Sequence, residues 1–172
     1  MPFLRSSMKI RVGTKEDAPA IGRLIATTYR TYNLSHADPE EQDRLLGPFR
    51  NAFSDDPRHR EAILGVVPSP MLYVAVDRDK IVGVLRGRKN VLASLFVGGA
   101  YHRRGVGRML VERFEKDSRK LGVNWIRVAA TLYAVPFYQS MGYKKTTGVR
   151  RCHSFEGTDL KQQPMKKRFT KR

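Results

Sequence analysis

The chain is expected to fold as one mixed α/β domain, a single sheet with helices on both faces. Three observations carry that expectation. An apolar strand-like run, Val91–Val97, breaks at Gly98-Gly99 and passes through a basic, glycine-bearing turn into a helical pattern from Gly105. Two further strand-like runs, Met71–Asp77 and Lys80–Lys89, precede it and meet at Asp77-Arg78-Asp79, the layout of a hairpin. Elsewhere apolar residues recur at the spacing of helices that bury one face.

The elements follow in order. Met8–Gly13 alternates enough for a first strand. Thr14 is a candidate N-cap with Asp17 at the third helical position, opening a helix to about Arg30 with Ile21, Leu24, Ile25 and Thr28 inward. Pro19 falls in its first turn, where proline is tolerated. A loop is expected from Tyr29 to Ala37, and Asp38-Pro39-Glu40-Glu41 starts a second helix with acids where the helix dipole favours them. Gly47-Pro48 and Asp56-Pro57 read as punctuation. After the hairpin and its third partner, the helix from Gly105 is expected to bury Val106, Met109, Leu110, Phe114 and Leu121 and to end at a left-handed Gly122. Trp125, Ile126 and Val128 belong to a central strand, and Tyr133–Met141 is a short helix ending at Gly142. Tyr143–Arg150 and Gln163–Thr170 complete the sheet.

At 172 residues the chain has one domain's length, 1–172, with 1–7 and 171–172 expected to fray. No apolar run is long enough to cross a bilayer, and the first residues lack the apolar core of a signal peptide. Cys152 is the single cysteine, which rules out an internal disulfide and fits a packed thiol in a reducing cytoplasm. The charge is unevenly placed. Residues 1–79 carry 11 Lys/Arg and 11 Asp/Glu, residues 80–172 carry 22 and 5, so the formal +17 lies in the second half. A solvated basic face is the favoured reading; a polyanion such as RNA is the other, without the aromatic-basic interleaving of a known nucleic-acid module.

Strand, glycine turn and helix in that order make an anion site. Glycines let main chain approach closely, free N–H groups of the first helical turn point at the ligand, and the dipole attracts phosphate. A Walker A loop is excluded because Arg108-Met109 follows Gly107 where Lys-Ser/Thr is needed. A dinucleotide fingerprint is excluded because Leu110 stands at its third small position and Ala129-Ala130-Thr131 carries no acid.

Three stretches in register resemble the GNAT superfamily of N-acetyltransferases: Leu95-Phe96-Val97, then His102 through Gly107, then Phe137-Tyr138 through Gly142-Tyr143. Pro164-Met165-Lys166-Lys167 also resembles that family's last strand, so the likeness spans about residues 8–170. It implies a mostly antiparallel sheet of six to seven strands flanked by helices, and acetyl-CoA as cosubstrate with a primary amine as acceptor. No metal is implied, and a homodimer stays open.

By that resemblance the Leu95 N–H holds the thioester carbonyl, with Phe96 and Val97 on the strand that pairs the pantetheine amides. The N–H groups of Arg103, Arg104, Gly105, Val106, Gly107 and Arg108 would take the phosphates. His102 departs from the family's Gln/Arg, and Ala129 from a frequent Asn. Tyr138 matches the family's general acid, while Phe137 packs. The base is not identifiable; Glu61, Glu156, Asp159 and a water chain are candidates, and the acids from Asp38 to Asp43 are available to draw a cationic amine.

Overall fold

Eight strands form one sheet in the order β1-β2-β3-β4-β5-β8-β6, with β7 also paired to β8. The computed structural model describes residues 7–154 and 157–170, and the side chains within them except those of 152–154 and 157–159. The strands are β1 (Met8–Val12), β2 (Met71–Asp77), β3 (Lys80–Arg88), β4 (Val91–Val97), β5 (Trp125–Thr131), β6 (Lys144–Lys145), β7 (Arg150–Ser154) and β8 (Gly157–Arg168). All neighbours are antiparallel except β4 and β5. The expected mixed, mostly antiparallel sheet is therefore present, with β7 as an addition. The strand expected over Tyr143–Arg150 is interrupted: β6 has two residues, and residues 146–149 separate it from β7.

The helices are α1 (Ala18–Thr28), α2 (Pro39–Leu46), α3 (Pro57–Val66), α4 (Val106–Lys120) and α5 (Val135–Ser140). Thr14 and Asp17 cap the first as expected, through a 3-10 turn: the Asp17 carboxylate accepts the Thr14 N–H at 2.8 Å and both Arg11 nitrogens at 2.8 Å. The expected loop after it begins instead as a wide π turn, Tyr29–Asn33, closed by Leu34 N–H donating to the Tyr29 carbonyl at 2.9 Å. Asp56-Pro57 opens α3, with Asp56 accepting from Arg58 N–H at 2.9 Å, as Asp38 accepts from Glu41 N–H at 2.9 Å in α2. Proline after an Asp cap is a helix start, and at 57 it is more than punctuation.

Two apolar cores lie on opposite faces. One joins α1, α2 and α3 to β2, β3 and β4 through Ile21, Ile25, Leu46, Phe49, Val84 and Phe96. The other joins α4 and α5 to the sheet through Leu110, Phe114, Leu85, Ile126, Val128 and Met165. On α4 the inward residues are Val106, Leu110, Val111, Phe114, Glu115 and Ser118. Met109 and Leu121, expected inward, are exposed by 37% and 63%: Met109 lies on the far side of the stripe through Leu110 and Phe114, and Leu121 falls in phase with it but beyond the last helical residue, Lys120. Gly122 follows the helix with φ +82°, the left-handed stop expected. Among the described residues no helix is long and apolar enough to cross a membrane.

Candidate active site

The sheet is split in its middle. β4 and β5 pair only at Val91–Arg127 and Leu92–Val128, after which no register joins them. On its other side β4 stays zipped to β3 up to Val97–Gly83. Gly98 N–H donates to the Val82 carbonyl at 2.9 Å, so by strand alternation the main-chain groups of Phe96 and Ser94 face β3. Those of Leu95 and Val97 face the split. Without a strand partner, the main-chain groups of Leu95 and the Val97 N–H are valence held open for something else, the Val97 carbonyl being taken by His102.

A cavity of about 430 Å³ runs along that edge from Leu95 and Val97 to Gly105, Gly107 and Arg108, with Tyr138 in its wall. Phe96, also expected here, contributes mainly packing: it is 7% exposed, and its ring meets Tyr29 edge-on at 5.7 Å. His102 does not project toward an anion. Its Nε2 donates to the Val97 carbonyl at 2.7 Å, and its ring lies 4.5 Å from that of Tyr32. A carbonyl can only accept, so Nε2 carries the proton.

At the cavity's far end Gly105 caps α4 with φ +79°, and Arg103 is left-handed as well, at φ +59°. Such alternation turns successive N–H groups to one side, a nest for an anion. The first intrahelical bond runs from Met109 N–H to Gly105 O, leaving the N–H groups of Val106, Gly107 and Arg108 free of helix partners. Gly107 has a separate reason to be glycine: a Cβ there would lie 3.3 Å from two ring carbons of Phe137, where α4 and α5 touch. Of the arginines, Arg103 and Arg108 line the cavity. Arg104 is turned aside, its guanidinium 4.9 Å over the Tyr101 ring, so at that position only main chain is available to a phosphate.

Tyr138 is buried on α5 at 4% exposure, against Phe137 at 5.1 Å and Tyr143 at 5.5 Å, both edge-on. Burial raises its hydroxyl above the ordinary tyrosine range, keeping the proton on at neutral pH. It lines the first cavity and also a smaller one of about 160 Å³ along the split.

Tyr32, Asn33, His36 and Ser94, which sequence reading passed over, meet here with Glu41, one of the acids expected to draw an amine. A second cavity, of about 460 Å³, shares Tyr32, Asn33, Thr131 and Tyr133 with the first and adds His36 and Glu41. Tyr32 and Tyr133 stack at 5.9 Å, forming the partition between the two. Tyr32 gets there through the π turn, which no periodicity rule anticipates. Ser94 Oγ is buried with no partner among the described residues, and it too borders the split. Glu61 lies exposed on α3 and lines none of the three cavities, so it is no candidate base. Glu156 and the side chain of Asp159 fall outside the described residues. Ala129 sits on the exposed edge of the split, offering main chain alone.

The free β4 edge running into a nest fits an elongated ligand with amides at one end and phosphates at the other. Comparisons with known proteins give the fold and the family. The fold matches a GCN5-related N-acetyltransferase from Rhodopseudomonas palustris, with TM-score 0.75 and 19% identity over 98% of this chain and 100% of that one. It also matches PaiA N-acetyltransferase from Thermoplasma acidophilum in complex with coenzyme A, with TM-score 0.71 and 18% identity over 94% and 99%. A ribosomal-protein-alanine N-acetyltransferase from Brucella melitensis gives 0.58 and 18% over 94% and 99%. The family model described as "Acetyltransferase (GNAT) domain" covers residues 39–169, and the chain belongs to that acetyltransferase family.

Proposed function

We propose that the chain moves the acetyl group of acetyl-CoA onto a primary amine, in the cytoplasm. The observation that carries this reading is the unpaired β4 edge, Leu95 to Val97, continuous with the nest at the start of α4. Acetyl-CoA supplies an activated thioester, and the residues of this chain do the rest. The Leu95 N–H donates to the thioester oxygen, where negative charge builds as the amine attacks; a donor already fixed in a strand needs no reorganisation. Val97 and its neighbours pair the amides along the split. The N–H groups from Arg103 to Arg108, with the side-chain charges of Arg103 and Arg108, hold the phosphates. Tyr138 gives its proton to the departing sulfur. The amine enters from the second cavity, past the Tyr32–Tyr133 partition, and sheds its proton toward His36, Glu41 or water.

Calorimetric titration with acetyl-CoA tests the reading, followed by a panel of amines assayed by free thiol. The parent is expected to bind. Gly107→Glu is expected to abolish binding while the fold survives, because its carboxylate opposes phosphate at a crowded contact with Phe137. His102→Gln keeps a donor for the Val97 carbonyl and is expected to bind within about threefold of the parent, since one neutral hydrogen bond replaces another. No binding by the parent at millimolar acetyl-CoA removes the reading.

A further inference from the structure

The α1–α3 layer covers only part of its face of the sheet. Its edge is marked by Arg86, whose guanidinium donates to the carbonyls of Val66 at 2.5 Å and Val67 at 3.0 Å at the end of α3. Beyond it the strand registers set five residues side by side. Lys144 opposes Lys166, Lys166 opposes Arg127, Arg127 stands beside Val91, and Val91 opposes Arg88. Cross-strand partners share a face. Here it is the face away from α4, since Ile126, Val128 and Met165, which alternate with these residues, are buried beneath that helix. One step along, Arg168 opposes Trp125, and Lys166 Nζ lies 4.1 Å from the centre of the indole ring. Arg88, Arg127, Lys144 and Arg168 are exposed.

Like charges placed opposite one another destabilise a sheet. None of Arg88, Arg127, Lys144, Lys166 and Arg168 forms an ion pair among the described residues, and only Lys166 is offset, by the Trp125 ring. The second-half acids with described side chains, Glu112, Glu115 and Asp117, all sit on α4, across the sheet. The uneven charge of the sequence thus resolves into an unscreened row with an aromatic ring beside it.

We infer that this open sheet face docks single-stranded nucleic acid. Strands lie about 4.8 Å apart, so the row from Lys144 to Arg88 extends about 19 Å, a track for consecutive phosphates. Trp125 offers a flat face on which an unpaired base stacks, as it cannot when the base is held inside a duplex. A second copy of this chain is disfavoured as occupant, because a two-fold contact would press the row against itself. The inference does not depend on acetyl transfer.

The test uses the full chain and a fluorescein-labelled 12-nucleotide oligouridylate, read by anisotropy from 50 to 200 mM salt. Trp125 is the only tryptophan, so its emission reports on the patch itself. Saturable binding with quenching of Trp125 is expected, with a log–log salt slope of about −3, from about 0.7 per phosphate over four contacts. Arg127→Glu/Lys166→Glu should weaken binding at least about tenfold and flatten the slope. It exchanges one like-charged cross-strand pair for another, so its melting by circular dichroism should stay close to the parent's. Arg88→Gln/Arg127→Gln gives the same direction more mildly if the charge reversal misfolds. Arg23→Glu/Arg50→Glu changes the net charge equally on the helical side and should stay within about threefold. The inference falls if the parent does not bind at 50 mM salt, if the two charge-reversed proteins lose affinity equally, or if Trp125 is not quenched. It also falls if a 12-base-pair duplex or a polyglutamate of equal length binds as tightly as the oligouridylate.

Discussion

Tyr138 and Tyr143 stand on either side of the turn at Gly142, exposed by 4% and 2%, with ring centres 5.5 Å apart. Burial raises both hydroxyls above the ordinary tyrosine range, and for Tyr143 the Glu115 carboxylate adds to the effect. The difference is where each O–H goes. Tyr143 donates to Glu115 Oε1 at 3.1 Å, and Glu115 also receives Lys167 Nζ at 2.9 and 3.0 Å. Tyr138 has no partner within the described residues and fronts the split. Residue type and burial do not make an acid; an uncommitted proton beside the reacting atoms does. Tyr143 is a strut of the α4–β8 contact, and Tyr138 keeps the uncommitted hydroxyl that the proposed function uses as its acid.

That contrast can be broken most forcefully at Tyr138. Tyr138→Phe should lower kcat by roughly 10²–10⁴-fold with KM and thermal stability nearly unchanged, measured by thiol release and melting. If Tyr133→Phe shows that loss instead, the acid belongs to the partition residue. Next in size, Glu115→Ala should cost about 3 kcal/mol in denaturant unfolding, because it leaves the Lys167 ammonium and the Tyr143 hydroxyl without their acceptor. Tyr143→Phe should be milder, about 1–2 kcal/mol, with kcat within about twofold of the parent. A large kcat loss there would erase the distinction between the two rings.

The smallest effect is on pH. A phenol whose folded value is raised contributes stability below its unfolded value near 10 that is lost as pH climbs toward the folded one. Stability should therefore fall above about pH 10 in the parent and less steeply in Tyr143→Phe. Tyr73, pushed up to about 12 by burial and its hydrogen bond to Asp117, supplies a common background in both proteins. Equal slopes would mean that Tyr143 ionises freely.

The sequence shows the loop better than the cleft. Gly105, Gly122 and the Asp38 cap are local decisions, made by backbone φ or one side-chain bond, and all three stand where short-range rules put them. Resemblance points to Tyr138, but its free hydroxyl is not visible in the sequence, because that depends on Glu115 accepting from Tyr143. The split between β4 and β5 is a statement about missing pairing, which apolar strands do not advertise. Arg104 is a related case: its charge is visible in the sequence, its turn onto Tyr101 is not, and the main-chain contact expected of it does not depend on either. α3 was missed although Asp56-Pro57 repeats the signature of Asp38-Pro39, since a weakly amphipathic ten-residue helix gives little periodicity to find.

The π turn at Tyr29–Asn33 has a consequence for how such a protein changes over time. A widened turn is equivalent to one extra residue spliced into a helix end. Upstream, Ile21 and Ile25 keep their places; downstream, every side chain is rotated. Tyr29 remains against Phe96, while Tyr32 is carried across to Tyr133. Deleting a single residue between Thr28 and Leu34 would return the helix to ordinary phase and swing Tyr32 by about 100°. The partition facing the second cavity would open, and Leu34, fully buried just beyond the turn, would have to be re-seated in the core. The wall between the two cavities would then be adjustable by length, one residue at a time, with Leu34 the core residue that has to follow.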